Sequence, residues 1–144
     1  MSAMTRQDYV DVVEDVYFGG MARGDVSPIL ALFVPDATIT TFYADHPARR
    51  MRFEPGEGEE PLDRFFTQAI DTFSVSYTDF EHVVDVEAQR IWSIYTLHIA
   101  PKPDGPMAHM PARQLRNCNF FEFGAGRIIA VTAYFAHPPV IPQR

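Results

Sequence analysis

The stretch Arg113–Phe135, RQLRNCNFFEFGAGRIIAVTAYF, decides the fold class. Gly124-Ala125-Gly126 is a tight turn between two runs rich in β-branched and aromatic residues. This pattern predicts a hairpin, with one strand over about Arg113 to Phe123 and the next over about Arg127 to Phe135. So short a turn joins only antiparallel neighbours, because parallel strands need a long crossover. Upstream, about Val75 to Val86 and Arg90 to Ile99 read as two further strands, followed by the turn-rich Pro101-Lys102-Pro103-Asp104-Gly105-Pro106.

The N-terminal half has the other periodicity. Tyr9, Val12, Val13, Val16, Tyr17 and Gly20 recur at helical spacing, Thr5 with Asp8 makes a capping-box start, and Gly24-Asp25 stops the helix. A second helix is expected with Ser27 as its N-cap, Ile29, Leu30, Leu32 and Phe33 as its buried side, and Pro35 as its end. Asp36 to Tyr43 reads as a strand, Ala44 to Gly58 as a loop, and a third helix starts near Glu59-Glu60-Pro61 and runs through Phe65, Phe66, Ala69 and Phe73. Helices gathered ahead of a meander of strands indicate an α+β fold, a curved antiparallel sheet with three helices over its concave face. No repeat or low-complexity linker interrupts the 144 residues, which are expected to form one domain; the Pro-rich tail from Pro138 is expected to be irregular.

Composition narrows the partners. A net charge of −7 repels phosphate backbones, which argues against nucleic acid. No run of about 18 apolar residues offers a membrane span, and the start at Met1-Ser2-Ala3-Met4 carries no apolar leader. The lone Cys118 precludes an intrachain disulfide or a Cys-rich zinc site, so a reduced, cytoplasmic setting is expected. His46, His82, His98, His109 and His137 show no metal-ligand spacing, and no metal site is expected. IWSIYTLHI, NFFEF and RIIAVTAYF are apolar on both alternating faces. Three helices can cover one face only, so the convex face is expected to pack on a second copy of the chain through Ile91, Tyr95, Leu97, Phe120 and Tyr134.

Two segments carry a resemblance. ARGDVSPILALFVPDATI after the first helix and NFFEFGAGRII near the end match the "GD…LFxxDAxx" and "FxFxxGKI" patterns of the nuclear transport factor 2-like superfamily. The chain resembles its SnoaL-like and ketosteroid isomerase-like members over roughly Thr5 to Phe135. In ketosteroid isomerase a first-helix Tyr and a protonated Asp on a late strand hold the dienolate oxygen, while an Asp at the end of the first strand moves the proton. The resemblance places that Tyr at Tyr17, eight residues before Asp25, and the oxyanion-hole Asp at Asn119. It places Phe66 where the third helix carries a supporting Tyr, and Thr41 where the base Asp would stand. A threonine cannot serve as a carboxylate base, so ketosteroid isomerase activity itself is not expected.

Strand parity extends the set, since residues two apart share a face. With Asn119 inward, Asn117, Phe121 and Phe123 follow. Alignment with the family adds Trp92, Ile94, Thr96 and His98 on the preceding strand, and Ile129, Val131, Ala133 and Phe135 would line the last. An apolar concavity with a few polar points is what a small-molecule pocket requires. The resulting expectation is a cofactor-independent isomerase, dehydratase or cyclase for a small hydrophobic carbonyl compound. Tyr17 and Asn119 would be its donors and His98 its proton shuttle, because an imidazole titrates near neutrality. The alternative is a non-catalytic binder of the same fold. Asp45-His46 is read as a solvated loop rather than an acid–base pair at the mouth, and Glu57, Glu59 and Glu60 as a solvated helix start.

Overall fold

In the computed structural model, which describes residues 3–136, the first helix begins at a reciprocal cap. The Thr5 hydroxyl oxygen accepts from the Asp8 backbone N–H at 3.1 Å, and the Asp8 carboxylate accepts from the Thr5 N–H at 2.7 Å. Each bond satisfies a donor that helix geometry leaves unpaired. Helix α1 (Arg6–Asp11) runs directly into a π-helical segment (Val12–Phe18) and then into α2 (Gly19–Arg23). Gly24, at φ 71°, ends it in the left-handed conformation that glycine adopts without strain. Helix α3 (Val26–Leu30) starts from Asp25 rather than Ser27. It packs close because Gly20 has no side chain: a Cβ there would lie 2.6 Å from Ile29 Cγ1.

Pro35 does not end a helix but lies inside strand β1 (Phe33–Tyr43), where the pairing skips between Phe33 and Thr38. An irregular stretch tolerates the missing N–H of a proline. The segment read as a loop holds a short strand, β2 (Arg49–Arg52), with β3 (Glu60–Pro61) just beyond it. Met51 supplies the reason: it is fully buried and sits opposite Ile39. Helix α4 (Leu62–Thr72) then buries Leu62 and Phe66. Strands β4 (Phe73–Asp85), β5 (Arg90–Pro101), β6 (Arg113–Gly124) and β7 (Arg127–Phe135) complete a seven-stranded sheet in the order β3-β2-β1-β7-β6-β5-β4. The fold is α+β, a curved open sheet with helices over one face; the sheet is mixed rather than wholly antiparallel, because β1 runs parallel to β7 and β2 to β3. His137 and the tail from Pro138 lie outside the described residues.

Register settles which side chains face the helices. Residues directly opposite on antiparallel strands share a face. Asn119 lies opposite Ser93, Asn117 opposite Tyr95, and Leu115 opposite Leu97. The inward face of β5 is therefore Ile91, Ser93, Tyr95, Leu97 and Ile99. Trp92, Ile94, Thr96 and His98 point to the convex side, which corrects their expected inward placement; Trp92 is 42% exposed and Ile94 37%. The same one-residue slip corrects Ile91, Tyr95 and Leu97, which lie inside rather than on the outer face with Phe120 and Tyr134. β5 is apolar on both faces, so its hydrophobicity carries no phase, and a slip of one residue exchanges the faces completely. On β7, a pairing irregularity beyond Ala130 turns Ile129 outward and buries Ile128, while Val131 and Ala133 stay inside.

β4 contains a bulge. Thr78 pairs with Thr96 and Glu81 with Ile94, so Asp79 and Phe80 together oppose Tyr95. Asp79 takes φ 54°, a conformation unusual for a residue with a side chain. Before the bulge Phe73, Val75 and Tyr77 are the less exposed residues; after it they are Phe80, His82 and Val84. Arg116 holds the bulge from the convex side, donating to the Asp79 carbonyl at 2.5 Å and pairing with Glu81 at 2.6 Å.

Candidate functional site

The concave side of the sheet and the first and last helices enclose a cavity of about 240 Å³. Its wall is mostly apolar, with Phe65, Phe66, Leu97, Leu115 and Phe135 among the contributors. Seven polar side chains reach it: Tyr17 from the π-helical segment, Thr41 and Tyr43 from β1, Tyr77 from β4, Tyr95 from β5, and Asn117 and Asn119 from β6. No Asp, Glu, His, Lys or Arg is among the described residues that line it.

The polar groups form a partly satisfied network. The Tyr95 hydroxyl donates to Asn119 Oδ1 at 2.7 Å, which leaves the Asn119 amide nitrogen without a partner among the described residues. Asn117 Oδ1 accepts from the Ala136 N–H at 2.7 Å, and Asn117 Nδ2 is buried without a hydrogen bond. Burying such a donor unpaired costs about 1–3 kcal/mol, so a ligand or water that pairs with it gains a comparable advantage. The Tyr17 ring is gripped edge-on by Phe66 and Phe121, with centroids 5.8 and 5.0 Å away. Its hydroxyl bonds to no described residue.

Electrostatics keeps this lining neutral. Burial pushes the Tyr17 phenol far above its ordinary value, and the nearby Tyr77 adds to the shift. Burial likewise raises Tyr77. Tyr95 is raised mainly by burial, then by Tyr77 and Tyr17, against a smaller opposing pull from the Asn117 side chain. All three phenols line the one cavity, and the Tyr77 and Tyr95 rings lie 5.6 Å apart. The arrangement can therefore donate hydrogen bonds to an oxygen but offers no proton acceptor of its own near neutral pH.

The residues singled out from sequence divide into three groups. Tyr17, Thr41, Phe66, Asn117, Asn119 and Phe135 meet at the cavity. Phe121 and Val131 are fully buried but sit in the core beside it. Trp92, Ile94, Thr96 and His98 are absent from it: His98 Nε2 lies 2.7 Å from Thr78 Oγ1 and borders an open groove on the other face with Ser76, Arg113 and Gln114. The expected proton shuttle is thus separated from Tyr17 and Asn119 by the sheet itself. Sequence reasoning missed Tyr77 and Tyr95; fixing Ser93 opposite Asn119 would have found Tyr95. Asp45 and His46 are exposed in a turn, as read, with His46 stacked 5.4 Å from Tyr43 at the cavity's edge. Among the described residues no three His, Cys, Asp or Glu side chains gather as a metal would need, and no helix is long and apolar enough to cross a membrane.

Comparison with known proteins places this geometry. Residues 13–131 match the SnoaL-like domain family. Curated protein sequences give no match. Among solved structures, a candidate polyketide cyclase from Xanthomonas campestris pv. campestris is 22% identical with a TM-score of 0.68, covering 91% of this chain and 92% of its own. A candidate isomerase from Bacillus subtilis is 12% identical at a TM-score of 0.70, covering 92% and 90%. A nuclear transport factor 2-like protein from Burkholderia xenovorans LB400 is 18% identical at 0.63, covering 92% of both chains. At these identities the likeness is one of fold. With its matched segment spanning most of the sheet and the helices that close the cavity, the chain belongs to the SnoaL-like domain family.

Proposed function

We propose that the cavity binds a small, neutral, largely apolar compound through a carbonyl oxygen. One observation carries the reading: several unpaired neutral donors, with Tyr17 and the Asn117 and Asn119 amides foremost, converge on an apolar space that no charged side chain of the described residues enters. Such a lining satisfies an acceptor oxygen and leaves an ion poorly solvated. This favours binding without turnover. The test is native mass spectrometry of the purified protein, together with the infrared carbonyl stretch of 7-methoxycoumarin, a neutral lactone, added to it. Retention of a neutral carbonyl compound, or a lowered stretch for the bound lactone, supports the reading. A chain that retains nothing and leaves the lactone unshifted at millimolar concentration overturns it.

A second reading makes the chain a cofactor-independent isomerase, dehydratase or cyclase, and the Tyr95–Asn119 bond favours it. By accepting from Tyr95, Asn119 keeps its oxygen occupied and its nitrogen free for a developing enolate, with Tyr17 as the second donor. The proton would then pass to a group of the substrate or to water, since neither Thr41 nor His98 can take it in the cavity. Deuterium uptake at the carbon next to the carbonyl, faster with protein than without, would distinguish this reading from simple binding.

The proposal takes the described residues as part of one domain that works as a homodimer in a reduced, cytoplasmic setting. Phe42, Tyr134, Cys118 and Ile94 form one cross-strand row on the convex face. Trp92 stacks on Phe120 beside it, at 4.2 Å. Monomers rarely expose so continuous an apolar surface, and a second copy presents its own complement.

A further inference from the structure

Behind the cavity wall, three polar side chains link the first helix to the sheet. His82 Nε2 lies 2.6 Å from Glu14 Oε2, and His82 Nδ1 lies 2.8 Å from Ser93 Oγ. The His82 side chain is 6% exposed and that of Glu14 33%, while Ser93 is completely buried. Carboxylate, imidazole and hydroxyl in a row resemble the parts of a nucleophilic triad. The placement speaks against that role, because Ser93 does not line the cavity and has no surface for a substrate to reach.

What the row does touch is the framework of the donors. Glu14 stands three residues before Tyr17 on the same π-helical segment, a widened turn of a kind that recurs at functional sites. Ser93 lies directly opposite Asn119 and two residues before Tyr95, the residue that orients Asn119. The imidazole also stacks on Phe80 at 5.5 Å, and Phe80 packs against both Phe18 and Tyr95. His82 thus bridges the element carrying one donor and the strands carrying the other. No described residue fixes the Tyr17 hydroxyl by a hydrogen bond, so its position relative to Asn119 depends on where the helix sits.

We infer that Glu14–His82–Ser93 is a positioning clamp that sets the spacing between the Tyr17 hydroxyl and the Asn119 amide, and so determines how strongly the cavity polarises a bound carbonyl. The inference rests on the reading of the cavity as a carbonyl-binding site. It assigns roles to three residues that touch no ligand.

A double-mutant cycle tests it, read by 7-methoxycoumarin affinity and carbonyl stretch. Wild type, Tyr17→Phe, His82→Phe and the double variant are compared, with Glu14→Gln and Glu14→Ala alongside. His82→Phe should weaken binding about threefold to tenfold and move the stretch towards its Tyr17→Phe value. The double variant should lose little beyond Tyr17→Phe alone. Glu14→Gln keeps an acceptor for the imidazole N–H and should retain wild-type behaviour, whereas Glu14→Ala should follow His82→Phe. A clamp that only stabilises the fold would lower the unfolding midpoint and leave the stretch unchanged. Additive effects in the cycle, or an unshifted stretch in His82→Phe, overturn the clamp while leaving the cavity reading intact. Labelling of Ser93 by a fluorophosphonate overturns it in favour of a nucleophile. Wild type that neither binds the lactone nor retains a carbonyl compound overturns both.

Discussion

Tyr95 and Asn119 are joined by a buried hydrogen bond of 2.7 Å, phenol to amide oxygen, across adjacent strands of the cavity wall. Removing the phenol oxygen strands a buried acceptor and frees Asn119 to turn. Tyr95→Phe should therefore cost about 1–3 kcal/mol of stability. The urea midpoint should fall with an unchanged slope. A variant as stable as wild type would mean that the bond is dispensable.

The buried phenols set the alkaline limit of the fold. Tyr17, Tyr77 and Tyr95 have pKa values raised by burial above that of an exposed tyrosine. A raised folded-state value means that the unfolded chain gives up these protons first. Their contribution is complete below the unfolded value near ~10 and is lost as pH climbs beyond it. Stability to urea should thus decline above pH ~10. In a titration followed at 295 nm, these phenols should ionise only together with unfolding; their smooth ionisation in the folded protein would contradict the burial.

The convex face should break with one charge. Trp92 is stacked on Phe120 beside the exposed apolar row. Trp92→Arg should turn a dimer into a monomer in sedimentation at tens of micromolar, weakening association at least tenfold. Lactone binding should persist, because Trp92 does not face the cavity. A wild-type monomer at that concentration would refute the pairing of copies.

His98 should be expendable. Its ring bonds to Thr78 on the convex side, and the sheet separates it from Tyr17. His98→Ala should change lactone affinity, and any α-carbon deuterium exchange, by less than about twofold. A loss of the 10²-fold order typical of a removed general base would restore it to a catalytic role.

How far the sequence could be read follows from where its pattern carries phase. The Thr5–Asp8 cap and the Gly124–Gly126 turn are local signals, and both stand where they were read. On β6 the resemblance supplied the phase at Asn119 and parity carried it to Asn117, and both side chains reach the cavity. β5 is apolar on both sides and has no such marker; only its ladder with β6 decides that Tyr95 rather than Ile94 looks inward. Met51 hides a strand in a segment whose arginines, prolines and glycines suggest a loop. His82 escaped notice for another reason: its importance lies in Glu14, 68 residues earlier, a proximity that no local pattern encodes.

The bulge at Asp79 bears on how this chain should be compared with its relatives. Two residues there occupy the space of one, so a chain lacking Asp79 could build the same wall by plain alternation, with Tyr77, Phe80 and His82 still on the inner side. The extra residue is absorbed where it occurs, held in place by Arg116, rather than passed along the strand. An alignment that keeps β4 ungapped would therefore match every residue beyond position 79 to a neighbour on the opposite face, and would equate His82 with the wrong position in any relative without the bulge.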